Sequence, residues 1–204
     1  MRLSQLDVVN ACLATMGESP LVAIDDDHPY VQAALTSLRN ACTIVQGEGW
    51  WFNTDFQNIT IDPDTGYAYA PADSLSVETA HASVIQRGTR LYNQMGSTYD
   101  LRDVFGKGPI QAVVIREVPF EDLPALAQHA ISERAQLDFQ SSFDGDDNKY
   151  SKIGGAYTLA HRLLKTEHTR QSRVNFFNSQ SMQEKLRLLR PMSRWAYPAS
   201  RRYW

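Results

Sequence analysis

The sequence predicts an α+β protein: a discontinuous bundle of about four helices, interrupted by a β-rich antiparallel insertion and followed by a C-terminal arm. Three observations carry this. Apolar residues recur at helical spacing up to residue 50 and again after residue 118. Between them, over 51–117, short alternating runs are separated by proline, glycine and aspartate turns. Charge then divides the chain: residues 1–161 carry 10 basic and 21 acidic side chains, net −11, whereas 162–204 carry 10 basic and 2 acidic, net +8. The expected organisation is 1–50 and 118–174 as two parts of one bundle, 51–117 as the insertion, and 175–204 as a basic, aromatic arm.

The first helix is read from Leu6, Val9, Leu13 and Met16, with Cys12 on the same face. Ser4 is placed as its N-cap with Asp7 three residues on, and Gly17 ends it. Asp25-Asp26-Asp27-His28-Pro29 is a loop feeding a second helix, with Pro29 expected in the first helical position. That helix carries Val31, Ala34, Leu35, Leu38, Cys42 and Val45 and stops at Gly47-Glu48-Gly49. From Trp50 the period changes. Phe56 to Ile61 reads as a strand, and Asp62-Pro63-Asp64-Thr65-Gly66 as a turn. Arg90–Asn93 and Thr98–Leu101 are expected to form a hairpin around Met95-Gly96, and Ile110–Glu117 is the clearest strand.

Helical spacing resumes after Pro119. Glu121 and Asp122 suit a helix start, and Ala127, Ile131, Ala135, Phe139 and Phe143 repeat every four residues. A fourth helix is expected from Ile153, Ala156, Tyr157, Ala160, Leu163 and Leu164, and a further one over Gln183–Arg190, ended by Pro191.

Composition excludes several classes. With 43% hydrophobic and 21% charged residues the chain has the make-up of a folded globular protein. No apolar run approaches the roughly 20 residues of a membrane span, so no membrane partner is expected. Arg2, Ser4, Gln5 and Asp7 without an apolar stretch predict no secretory signal. The two cysteines, Cys12 and Cys42, lie on core stripes and read as buried thiols. No cofactor is expected: the sequence has no glycine-rich nucleotide motif, no GxSxG and no zinc spacing. Asp144, Asp146 and Asn148 begin like a calcium loop, but Lys149 stands where glycine is needed and Gly155 where glutamate is needed. His161 and His168 share a helix face and read as surface histidines. Glu48 beside Trp50 and Trp51 is the best candidate for one of two glycosidase carboxylates. The competing reading makes Gly47-Glu48-Gly49 a helix stop and the tryptophans core or interface anchors.

The arm interleaves Arg187, Arg190, Arg194, Arg201 and Arg202 with Trp195, Tyr197, Tyr203 and Trp204. Arginine with tryptophan and tyrosine is the composition of protein-docking hot spots. It is also that of single-strand nucleic-acid binding, and a solvated tail is the third reading. Docking is favoured, because arginine recognises carboxylates and phosphates in a planar fork.

Two phrases carry a family resemblance. Asn10 to Val22, with Gly17, Glu18 and Pro20, resembles the opening of the tail tubular protein A family of short-tailed phages. Gln46 to Asn53, with Gly49, Trp50, Phe52 and Asn53, followed by Ile61-Asp62-Pro63-Asp64, is similar to the family's second phrase. Arg87-Gly88, Leu91-Tyr92-Asn93 and the 120–145 segment continue the match in order. The resemblance spans roughly 5–150 and fades after about 165. It implies a structural virion protein without catalysis, at the head–tail junction, made in the bacterial host cytoplasm. It further implies a homo-oligomeric ring, twelvefold in better-known members, between the portal protein and the tail nozzle protein, through which double-stranded DNA passes during DNA ejection. The alternatives are a virion-associated glycan-degrading enzyme and a DNA-binding protein acting through the arm.

Overall fold

A computed structural model describes residues 2–24, 28–106 and 108–172. The aspartate run 25–27 and the arm, including the helix expected over 183–190, lie outside the described residues. By internal contact the chain divides into two units, 1–168 and 169–204, and the bundle core and the sheet belong to the first.

The bundle is built from α1 (Gln5–Thr15), α2 (Val31–Gln46), α4 (Ala125–Phe143) and α5 (Asp147–Gln171). The start of α1 follows its sequence: the Asp7 amide donates to the Ser4 hydroxyl at 3.2 Å, and the Ser4 amide to the Asp7 carboxylate at 2.8 Å. The Ser4 amide and the Ser4 hydroxyl, at 2.7 Å, both donate to the Asp7 carboxylate and hold it below its ordinary pKa. At the other end Gly17, at φ +81°, donates to Ala14 and Glu18 to Leu13, the paired bonds of a left-handed helix stop. α2 starts later than expected, at Val31 rather than Pro29. Pro29 sits in a turn that His28 closes by accepting the Tyr30 amide, 3.3 Å, and Tyr30 is the N-cap.

α4 is the central helix, packed against α2 and α1. Ala127, Ala130 and Ala135 of α4 are buried with Ala34 and Ala41 of α2, and such small residues allow close approach. Glu121 and Asp122 do not start it. They lie in a single 3₁₀ turn, Phe120–Asp122, because Leu123 precedes a proline and is held extended at ψ 150°. The helix begins at Ala125 with Pro124 as its N-cap. Phe139 is buried, but Phe143, at the end of the stripe, is half exposed.

On α5 the expected stripe is corrected. Leu164 is buried and Tyr157 and Ala160 partly so, whereas Ala156 and Leu163 are exposed. At about 100° per residue, 156 and 163 fall roughly 80–100° to one side of the line through 153, 157, 160, 164 and 168.

The sheet has the order β1-β5-β2-β3-β4, antiparallel throughout, formed by β1 (Thr54–Ile59), β2 (Ser74–Thr79), β3 (Val84–Arg87), β4 (Arg90–Asn93) and β5 (Ile110–Arg116). Its inner face buries Ile59, Val77, Val84, Leu91, Ile110, Ala112 and Val114. The short helix α3 (Arg102–Phe105), which the sequence does not announce, packs Val104 and Phe105 there. The outer face carries Phe56 at 84% exposure.

Two strand expectations change. β1 stops at Ile59, and Ile61 makes only a bridge to Ala68, because Asp62 accepts the Asp64 amide (3.0 Å) and the Thr65 hydroxyl (2.9 Å) and coils the chain into the turn. The hairpin partner of β4 is β3, around Gly88, rather than Thr98–Leu101. That later segment meets β4 only at Asn93–Thr98. The Thr98 hydroxyl then takes the Asp100 amide at 3.0 Å, and Asp100 takes the Arg102 amide at 3.0 Å, turning the chain into α3.

Candidate functional site

The second signature phrase forms a knot where α2, β1 and β5 meet. Asn53, only 2% exposed, accepts the Trp50 amide at 2.7 Å and donates to the carbonyls of Gln46 (2.9 Å) and Arg116 (3.0 Å). The Arg116 amide returns to the Asn53 carbonyl at 2.8 Å. Buried Gln46 donates to the Val118 carbonyl (3.0 Å) and accepts the Val118 amide (2.8 Å). Two buried amides thus replace the missing backbone pairing at a helix-to-strand crossing, as buried polar groups require. Gly49 supplies φ +75°, and a Cβ there would lie 2.9 Å from the Ile115 side chain. Phe52 packs edge-on to Trp51 with ring centroids 5.0 Å apart.

The first phrase has a similar local role. Beyond the Gly17–Glu18 stop, Asn10 accepts the Leu21 amide at 2.8 Å and donates to the Leu21 carbonyl at 3.0 Å. Pro20, between them in the chain, is exposed.

The two histidines are not simple surface residues. Trp50 is buried, its indole N–H donating to the Val45 carbonyl at 2.6 Å, and the rings of His161 and His168 meet it edge-on at 5.7 and 5.5 Å. His168 Nδ1 accepts the Trp51 amide at 3.2 Å, which requires a lone pair on that nitrogen. His161 Nε2 is 2.7 Å from Glu48, and Lys165 Nζ is 3.9 Å from the same carboxylate. Glu48, the glycosidase candidate, is therefore engaged in fastening α5 to the tryptophan phrase. The seven-residue spacing placed both histidines on one face, but their target is distant in sequence.

Arg116 is a second residue that sequence reasoning missed. Its guanidinium reaches Asp55 (2.7 Å), Asp73 (2.6 Å) and Gln57 (2.7 Å), binding the edge strand to the approach of β2. Those bonds hold the Asp73 carboxyl below its ordinary value, and Arg116 above its own.

At the calcium-like loop, Lys149 pairs with Asp144 at 2.6 Å, and Asp146 accepts the amides of Asn148 and Lys149 at the start of α5. Among the described residues no cluster of three or more metal-ligating side chains is arranged to hold an ion, and no helix is long and apolar enough to cross a membrane. Cys12 and Cys42 are buried, and burial pushes both thiols up to about 12. The docking candidates Arg187, Arg190, Arg194, Trp195, Tyr197, Arg201, Arg202, Tyr203 and Trp204 all lie outside the described residues.

The first phrase thus closes α1 and fixes the loop after it, and the second ties α2 to the start of the sheet. Residues 6–193 match the tail tubular protein family, and the chain belongs to that family, a structural component of a phage tail. The match continues well past residue 165, where the resemblance was expected to fade, and takes in Arg187 and Arg190. The chain is also similar to tail tubular protein A of Klebsiella phage KP34, 25% identical over 175 residues, covering 85% of this chain and 91% of that protein.

Proposed function

We propose that this chain is the adaptor subunit of a ring that joins the portal to the tail nozzle and forms part of the DNA conduit. The observation that carries this reading is the family match over residues 6–193. A subunit in a ring uses heterologous contacts, one surface meeting a different surface of the next copy, and closes when the rotation per subunit divides the circle. Twelve copies are expected. In this reading residues 1–50 and 118–174 form the ring body, 51–117 face the nozzle, and 175–204 dock to the portal or to a neighbouring subunit.

The charge division supports the assignment. A conduit must release DNA, and each phosphate neutralised by a basic side chain adds affinity through counterion release. The net −11 of residues 1–161 suits a wall that repels the duplex; a channel lined by lysine and arginine would contradict it. The arm, 175–204, has the opposite balance, with six basic residues and one acidic.

The test is removal of residues 175–204. Portal-bearing heads without tails are incubated with the full chain or the shortened one and sedimented. The full chain is expected to co-sediment and the shortened one to stay in solution while keeping its far-UV circular dichroism. Attachment of the shortened, folded chain would overturn the role given to the arm.

A further inference from the structure

Where the start of α1, the middle of α2 and the linker 117–120 come together, the surface opens into a groove of about 420 Å³. That falls inside the roughly 300–1,000 Å³ range of clefts that seat a ligand group. Leu35, Leu38 and Cys42 of α2 and Val118, Pro119 and Phe120 of the linker give it an apolar lining. Gln5, Arg39, Asp73 and Glu117 complete it.

Its charges are unevenly engaged. Asp73 is held by Arg116, and Arg39 is the one cation among the described lining residues. Glu117 and, just beyond, Glu121 are exposed and make no ion pair among the described residues. Both nevertheless act on the buried floor: after burial itself, they are the next causes of the raised Cys42 thiol. A cleft that mixes apolar surface with polar groups, with unengaged carboxylates beside it, suits a segment that combines arginine with flat aromatic rings, since the guanidinium pairs with carboxylate while the ring takes the apolar surface.

The chain itself has such a segment. Residues 185–204 hold Lys185, five arginines and the four aromatic residues Trp195, Tyr197, Tyr203 and Trp204, with no acidic residue among them. We propose that the groove lined by α2 and residues 117–120 receives the basic aromatic arm of a second copy of this chain, so that arm and groove are the two unlike surfaces of the ring contact. This rests on the ring reading above and names the acceptor surface within it. Rings and arginine at a fully desolvated pocket carry most of an interface's energy, so a groove of this size can set the register between copies.

Two measurements test it. In the first, a fluorescent peptide of residues 185–204 is titrated into the full chain carrying R187S, R190S and R194S, which weakens its own arm. Saturable binding is expected, weakened at least about ten-fold when E117K and E121K are added and weakened by rising salt. Absence of binding, or an affinity indifferent to the two glutamates, would overturn the groove assignment. E117Q with E121Q, at the same exposed positions, serves if the lysine variant does not fold.

The second measurement decides between copies. Full-length E117K/E121K, and full-length R187E/R190E/R194E, are each expected to form no rings on portal-bearing heads. Mixed one to one they are expected to restore them, because every contact in an alternating ring then pairs opposite charges. Failure of the mixture, with the peptide result intact, would mean that the arm does not serve a second copy. If the unaltered chain forms no rings there, the ring reading fails, and the peptide titration still decides the groove.

Discussion

Replacement of Asn53 by alanine is the sharpest perturbation of the knot between α2 and the sheet. It removes one bond accepted from the Trp50 amide at 2.7 Å and two donated, to the Gln46 and Arg116 carbonyls at 2.9 and 3.0 Å. The site is 2% exposed, so water does not readily replace the lost partner. Three hydrogen bonds at about 1 kcal/mol net each give a loss of about 3 kcal/mol, and a stranded Trp50 amide adds to it. For a chain of this size that corresponds to a fall in Tm of roughly 6–12 °C. The assay is urea unfolding monitored by tryptophan fluorescence, with Trp50 and Trp51 beside the substitution. Asn58→Ala, exposed on β1 just beyond, is the control and should move stability by less than about 0.5 kcal/mol. A loss under about 1 kcal/mol for Asn53→Ala, or equal losses for the two variants, would refute the structural role given to the signature phrase.

The same geometry carries three further outcomes. Gly49→Ala should cost about 1–2 kcal/mol in urea unfolding, because an L residue is forced to φ +75° and its Cβ meets Ile115. Cys12 and Cys42, with thiols near 12, should be unreactive toward a disulfide reagent at pH 8 in the native chain and react fully in denaturant. The Asp73–Arg116 pair should weaken in acid. Asp73 titrates below its ordinary value of 3.8, so its contribution is present above that value and lost as pH falls through the lower folded one. Asp73→Asn should flatten that part of the stability–pH curve and leave the neutral plateau shape unchanged.

What could be read from the sequence was what is decided locally. The Ser4–Asp7 capping box, the Gly17 stop and the Asp62–Gly66 turn each depend on bonds within a few residues, and each lies where the residues predict. The strand Ile110–Arg116 is legible because Val113, Val114 and Ile115 form a β-branched run. The hairpin was misplaced because two turn signals compete: Gly88 and Gly96 both follow strand-like residues, and only the pairing of Val84 with Asn93 across the sheet selects Gly88. The helix α3 has no apolar period to detect, being closed by Asp100 at its start. The family phrases were recognisable as patterns, but their physical role was not. The bonds joining Asn53 to Arg116, Gln46 to Val118 and Trp51 to His168 span 63 to 117 residues of chain, and no local rule reports them. Nothing near Arg116 in sequence marks Asp55 and Asp73 as its partners.

Virions carrying a gold-binding tag on this chain can be imaged by electron cryomicroscopy and averaged around the tail axis. Label is expected in a single ring between portal and nozzle, with twelve subunits in the averaged density. Label along the tail shaft, on the fibres or inside the head, or a stoichiometry too low to close a ring, would contradict it.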